Sequence, residues 1–129
     1  DTEVICHLID MFYEKNSGDM KASMLHVLSM VEGSYSIVMM NEKELNRIYV
    51  AKKGSPLVIG EKDGEWFIAS DIPALLPHTK DVIFLEDGDA AIISEDGAKI
   101  FDTSGKSVLR EKQTIPWTPI MAEKGGYKH

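Results

Sequence analysis

Apolar and polar positions in this chain change period near residue 34. Before that point the apolar residues recur every three or four positions. Val4, Leu8 and Phe12 fall on one stripe, which Ile5 and Ile9 widen, so residues 1–15 read as an amphipathic helix. Asp1 or Thr2 suits its N-cap and Glu3 its first turn, and Asn16-Ser17-Gly18 ends it with Gly18 as the left-handed residue. Asp19 caps a second helix to about Met30, with Ala22, Met24, Leu25 and Leu28 turned inward. Two antiparallel helices on a short loop form a layer that needs an apolar surface to cover.

After Glu32-Gly33 the runs shorten to strand length. Tyr35–Met40 and Arg47–Lys52 read as strands, followed by a stretch that organises the rest, Tyr49 to Leu76. Within it Leu57-Val58-Ile59 is too short for a helix and is flanked by Pro56 and Gly60, which favours a buried strand. Asp63-Gly64 is a strong hairpin signal, and Trp66-Phe67-Ile68 resumes the strand beyond it. Ser70 or Asp71 caps a short helix carrying Pro73 in its first turn. Strands at Val82–Leu85, Ala90–Ser94, Lys99–Asp102 and Val108–Arg110 follow, with turns at Glu86-Asp87-Gly88, Asp96-Gly97 and Ser104-Gly105. Two helices and then seven or eight hairpin-connected strands make the class α+β with mostly antiparallel sheets. From Gln113 on, Pro116, Pro119 and Gly125-Gly126 read as an extended linker.

Composition narrows the function classes. The chain has 129 residues, 43% of them hydrophobic, which is one domain's worth with a real core. A net charge of −7 argues against a nucleic-acid or anionic-membrane partner. One cysteine rules out an internal disulfide framework and fits a reducing cytoplasm. No apolar run approaches the roughly 20 residues that span a bilayer. The chain opens on Asp-Thr-Glu without an initiating Met, so its first residue is expected to be a cut within a longer polypeptide.

Candidate chemistry is sparse. Cys6 and His7 are neighbours on a helix and point about 100° apart, so they make no nucleophile–base pair, and Cys6 reads as a small core residue. His7, His26, His78 and His129 lack metal-ligand spacing, so no metal or other cofactor is expected. Gly54-Ser55-Pro56 lacks the further glycines and Lys-Ser/Thr of a phosphate loop and reads as a turn. Asp87, Asp89, Glu95 and Asp96 read as a solvated acidic face, with a weak calcium site as the alternative.

The order Gly33-Ser34-Tyr35, Leu45 to Tyr49, KKGSPLVIG, FIASDIPALLPHT and VIFLEDGDAAII resembles the C-terminal half of a glutamine amidotransferase domain. The class is the one with an N-terminal cysteine nucleophile. Within it, Gly54–Gly60 together with Ala122–His129 is similar to the isomerizing glutamine–fructose-6-phosphate aminotransferase family. The resemblance implies part of a four-layer α-β-β-α sandwich of two stacked sheets. It divides the chain into residues 1–112, the C-terminal part of a glutaminase domain, and residues 113–129, a linker toward a sugar-isomerase domain.

It also implies a parent enzyme that hydrolyses glutamine and passes the ammonia to fructose 6-phosphate, giving glucosamine 6-phosphate and glutamate. The nucleophile, the oxyanion-hole Asn-Gly pair and the Arg-bearing substrate loop would lie upstream of Asp1, leaving the chain alone inactive. One position carries over: Asp1 matches the aspartate that receives the α-ammonium of bound glutamine. Without the first half of its domain the chain is expected to form a homo-oligomer, with the strands at 35–40 and 57–59 as the exposed surface. The other reading of the same residues is a non-enzymatic half-domain acting as a binding or assembly module.

Overall fold

The computed structural model describes residues 2–116, apart from the side chain of Thr2. Its elements are α1 (Thr2–Lys15), α2 (Met20–Leu28), β1 (Tyr35–Met39), β2 (Ile48–Lys53), β3 (Val58–Lys62), β4 (Glu65–Ala69), α3 (Ile72–Leu75), β5 (Asp81–Phe84), β6 (Ala90–Ser94), β7 (Gly97–Phe101) and β8 (Lys112–Thr114). They form two four-stranded sheets, ordered β1-β2-β6-β7 and β4-β3-β5-β8, with every pairing antiparallel.

Each interface follows from the alternation along the strands. In β1, Tyr35, Ile37 and Met39 face one way and are buried, while Ser36 and Val38 face the other and are exposed. The buried side meets Ile5, Ile9, Met24 and Val27 of the helix pair, and Tyr49, Ala51, Ala90 and Phe101 extend the same face. On the opposite face Val50, Ala91, Ile93 and Ile100 pack against Leu57, Ile59, Ile83 and Leu85 of the second sheet. The outer face of that sheet carries Val58, Val82 and Leu75 of the one-turn helix α3, with Phe67 and Phe84 partly buried beside them. Three full layers and a single-turn fourth result.

Several local signals act as the sequence implies. Asp19 accepts from the Ala22 amide at 3.0 Å and Asp71, rather than Ser70, from the Ala74 amide at 3.0 Å, capping α2 and α3. Asp63 and Gly64 both take positive φ (52° and 81°), as a tight two-residue β3–β4 hairpin requires.

Other expectations are corrected. The buried stripe of α1 is centred on Ile5 and Ile9, and Val4, turned about 100° from Ile5 round the helix, is 56% exposed. α2 stops at Leu28. The stretch from Tyr49 to Leu76 is divided: β2 belongs to the first sheet, and the chain crosses at Gly54–Leu57 to begin the second. Leu57, Val58 and Ile59 are therefore buried between or beneath layers, not exposed, whereas Val38 (51%) and Met40 (58%) are exposed as expected. The β6–β7 hairpin turns on Glu95-Asp96, one residue earlier than read, since Ser94 pairs with Gly97. Val108–Arg110 is not a strand: Ser107 makes one bridge to Phe101, and the sheet edge is formed by Lys112–Thr114 instead. Gln113 and Thr114, placed above at the start of the linker, thus pair with β5.

Candidate functional site

Two places gather chemistry-bearing side chains. The first is a cleft of about 700 Å³ between α1 and the end of β1, lined by Cys6, His7, Asp10, Tyr13, Met40 and Glu42 among others. Cys6 is exposed at its wall, which corrects the core reading. The period explains the error: Ile5 and Ile9 point at the sheet, and Cys6, one residue on, is turned about 100° away. His7 is likewise exposed beside it. Nearby, Lys43 lies over the Tyr13 ring at 5.8 Å. Tyr49 donates to Glu44 from the adjoining loop, and burial first, then that carboxylate, pushes its hydroxyl up to about 12. The hydroxyl therefore stays protonated and hydrogen-bonded at neutral pH and offers no phenolate nucleophile.

The second place is the pair of crossovers between the sheets. The Lys52 amide donates to the Asp89 carbonyl at 3.0 Å and the Gly88 amide to the Lys52 carbonyl at 3.0 Å, so the β2 end and the β5–β6 turn lie side by side. Asp87 accepts from Lys52 Nζ and from the Gly54 amide, both at 2.8 Å. The Lys52 contact first, and then the Gly54 amide, hold its carboxyl below the usual aspartate range. Asp89, 2% exposed, accepts from Arg110 Nε at 2.8 Å and Nη2 at 2.9 Å, and also from the Glu86 amide at 2.8 Å. Asp89 raises the Arg110 pKa. One of the four residues expected on a solvated acidic face is therefore structural: Asp89 is buried and paired, because the turn folds it inward to meet a guanidinium 21 residues away. Lys52 and Arg110 were missed for the same reason, since their partners lie 35 and 21 residues off and no local pattern marks them.

Among the described residues no hydrogen bond joins Cys6 to a base, and no group of three or more His, Cys, Asp and Glu could hold a metal ion. No described helix is long and apolar enough to cross a membrane. Asp1 lies outside the described residues, immediately before the first turn of α1. His26 stacks on Phe12 (4.2 Å between centroids) and His78 on Phe67 (4.8 Å), so both imidazoles are packing groups.

No family model matches the chain. All 129 residues align at 43% identity with the isomerizing glutamine–fructose-6-phosphate aminotransferase of Clostridium tetani, and at 42% with that of Aquifex aeolicus. This chain is homologous to a segment of those aminotransferases. It spans 21% of the length of each, about a fifth of the aminotransferase chain. Among solved structures it is similar to a glutamine phosphoribosylpyrophosphate amidotransferase from B. subtilis, with a TM-score of 0.62 and 29% identity. That match covers 83% of this chain and 23% of the neighbour. A second neighbour, described as the allosteric regulatory enzyme of purine biosynthesis, gives a TM-score of 0.61, 29% identity and coverage of 80% and 22%. The two stacked antiparallel sheets are thus those of the N-terminal-nucleophile amidotransferases.

Proposed function

We propose that residues 1–112 are the C-terminal part of a glutaminase domain and that residues 113–129 lead toward a sugar-isomerase domain. In this reading the parent enzyme hydrolyses glutamine and transfers the ammonia to fructose 6-phosphate, forming glucosamine 6-phosphate and glutamate. The observation that carries it is identity of 43% sustained over all 129 residues with an aminotransferase of that name. The amidotransferase sandwich supports it independently at the level of fold.

Asp1 is the residue of this chain that we assign to substrate. It precedes α1, whose N-terminal end favours an anionic side chain, and an ionised carboxylate there meets an ammonium through a short charge-assisted hydrogen bond. The thiol that attacks the glutamine amide would come from upstream; Cys6 is not it. We also read the parent enzyme as cytoplasmic and this chain as forming a homo-oligomer. What supports association is the β1 edge, where Tyr35–Met39 carries no charge and Val38 and Met40 stand exposed, whereas the edge strands β4, β7 and β8 carry Glu65, Lys99 and Lys112. Sedimentation equilibrium of the chain tests this, and a monomer at the highest concentration reached overturns it.

Exchanging the aligned segment of the Clostridium tetani enzyme for this chain tests the main reading. The chimera is expected to make glucosamine 6-phosphate from glutamine. Asp1→Asn in it should weaken glutamine use by roughly 2–3 kcal/mol in kcat/KM, the scale of a lost charge-assisted hydrogen bond, with isomerisation of fructose 6-phosphate unchanged. A chimera that isomerises but cannot use glutamine overturns the reading. An Asn variant that uses glutamine normally reduces Asp1 to a helix cap.

A further inference from the structure

The last described part of the chain is attached in two different ways. From Ser107 to Arg110 it is anchored inward. Ser107 bridges to Phe101, the Val108 amide donates to the Ile100 carbonyl at 3.0 Å, and the partly buried Val108 packs against the core between the sheets. Arg110 then makes its two-pronged contact with buried Asp89 and a further ion pair with Glu86 at 3.2 Å. Bidentate pairing of a guanidinium with a carboxylate that is 2% exposed is the strong kind of ionic contact, fixed in direction and poorly screened.

Beyond Arg110 the attachment changes. All three residues of β8 are exposed, and they pair with β5 at Asp81, Val82 and Ile83 on the open edge of the sheet. The side-chain ties are the Lys112–Glu61 ion pair at 2.9 Å, with its partners 48% and 26% exposed, and a hydrogen bond from the Thr114 hydroxyl to Asp81 at 2.9 Å. Exposed pairs of this kind contribute little because water and salt compete for both groups. The Ile115 amide adds one bond to the Lys80 carbonyl at 2.8 Å, and its side chain is partly buried against the outer face of the sheet.

We propose that β8 is a releasable strap. Residues 112–115 peel from β5 as a unit, the motion hinges at Glu111, and the Arg110–Asp89 contact is the clasp at which it stops. Peeling uncovers the edge of β5 on a sandwich that stays folded. The clasp keeps that motion from reaching β7 and the core. This inference rests on the hydrogen bonds and burial around β8 and stands whether or not the glutaminase reading does.

Native-state hydrogen exchange of the full chain tests it. Opening of a weakly held edge proceeds far below the cost of global unfolding. The Ile115 and β8 amides should therefore exchange at least about 100-fold faster than the β3 amides in the same molecule. Arg110→Met should extend the fast region back to Val108, measured against β3 in the same variant. Lys112→Ala with Thr114→Ala keeps the clasp and should speed residues 112–115 while leaving Val108 unchanged. Equal rates in β8 and β3 overturn the strap. A Val108 amide unmoved by Arg110→Met, or accelerated by the double substitution, overturns the clasp and the hinge.

Discussion

The two sheets are built from equal numbers of strands but are closed by different means. The outer face of β1-β2-β6-β7 is covered by two helices that bring Ile5, Ile9, Met24, Val27 and Leu28 onto it, and these are at most 6% exposed. The outer face of β4-β3-β5-β8 has a four-residue helix, which supplies Leu75, while Phe67, Phe84 and Ile115 remain partly open. On the first sheet, closure is non-directional apolar burial spread over many side chains. On the second less area is buried and directed polar contacts are added: Thr79, 6% exposed, donates from its hydroxyl to the Glu61 carbonyl at 2.9 Å, while Lys112 and Thr114 tie the edge only weakly. A layer held by apolar area yields its stability to cavities. One held by a few polar groups yields it to the loss of a partner or a proton.

The sharpest break of this comparison is a matched pair of truncations. Ile9→Ala removes a side chain that is 2% exposed at the centre of the helix layer and should cost about 4 kcal/mol in urea unfolding. Phe67→Ala removes a larger side chain from the thinner layer, yet its partial exposure should hold the loss to about 2 kcal/mol. Equal losses would mean that α3 closes its face as well as α1 and α2 close theirs. Next in size is the clasp. Arg110→Met leaves a carboxylate 2% exposed without its cation and should cost about 3 kcal/mol. Adding Asp89→Ala should restore part of that, because the stranded charge goes with its partner. A double variant no better than Arg110→Met alone would show that the pair acts through packing.

How much of this the residues announce depends on the range of the interaction. The helix layer is legible because Ile5 and Ile9 recur at the helix period, and because Gly18 and Asp19 punctuate the chain locally. The β3–β4 hairpin is legible because Asp63-Gly64 must take positive φ whatever surrounds it. The division of strands between sheets is not, since Gly54-Ser55-Pro56 turns the chain equally well within a sheet or across two. Val108–Arg110 reads as a strand from its composition, but Arg110 is drawn to Asp89 and takes the segment out of the ladder. Asp1, the one position assigned to substrate, carries a local signal no stronger than a helix cap. Its functional reading comes from resemblance alone, and it lies outside the described residues.

The crossover gives a smaller and more specific effect. Gly54 has φ of +82°, and a Cβ there would come within 2.2 Å of the Ser34 hydroxyl and 2.8 Å of its Cβ. Gly54→Ala combines a left-handed conformation with that collision and should cost about 2 kcal/mol. Ser34→Gly in the same chain removes the collision and leaves the backbone term, so roughly half should return. Full recovery would mean that the conformation itself costs nothing, and no recovery would mean that Ser34 moves aside freely.

The smallest effect expected is one of pH, and it separates the two modes of closure without changing any volume. Asp87 has its carboxyl held below the ordinary 3.8, chiefly by Lys52 and then by the Gly54 amide, with desolvation opposing. Glu61 is held below the ordinary 4.5, first by Lys112, with desolvation again opposing. A carboxyl whose folded pKa is depressed binds its proton more readily in the unfolded chain. Its contribution is therefore complete above the unfolded value and is lost as pH falls through the folded one. Both carboxylates accordingly stabilise the fold at neutral pH, begin to lose that contribution as pH falls past the ordinary 3.8 and 4.5, and lose it fully only below their depressed folded values. Unfolding midpoints in urea should hold steady from pH 7 to 5 and then decline. Glu61→Asn should flatten part of that decline together with faster exchange at β8, since it unties Lys112. Asp87→Asn should flatten another part while leaving β8 exchange unchanged, because its partners sit at the crossover. If both variants change the acid limb but neither or both alter β8, the polar contacts at the crossover and at the β8 edge are not separable.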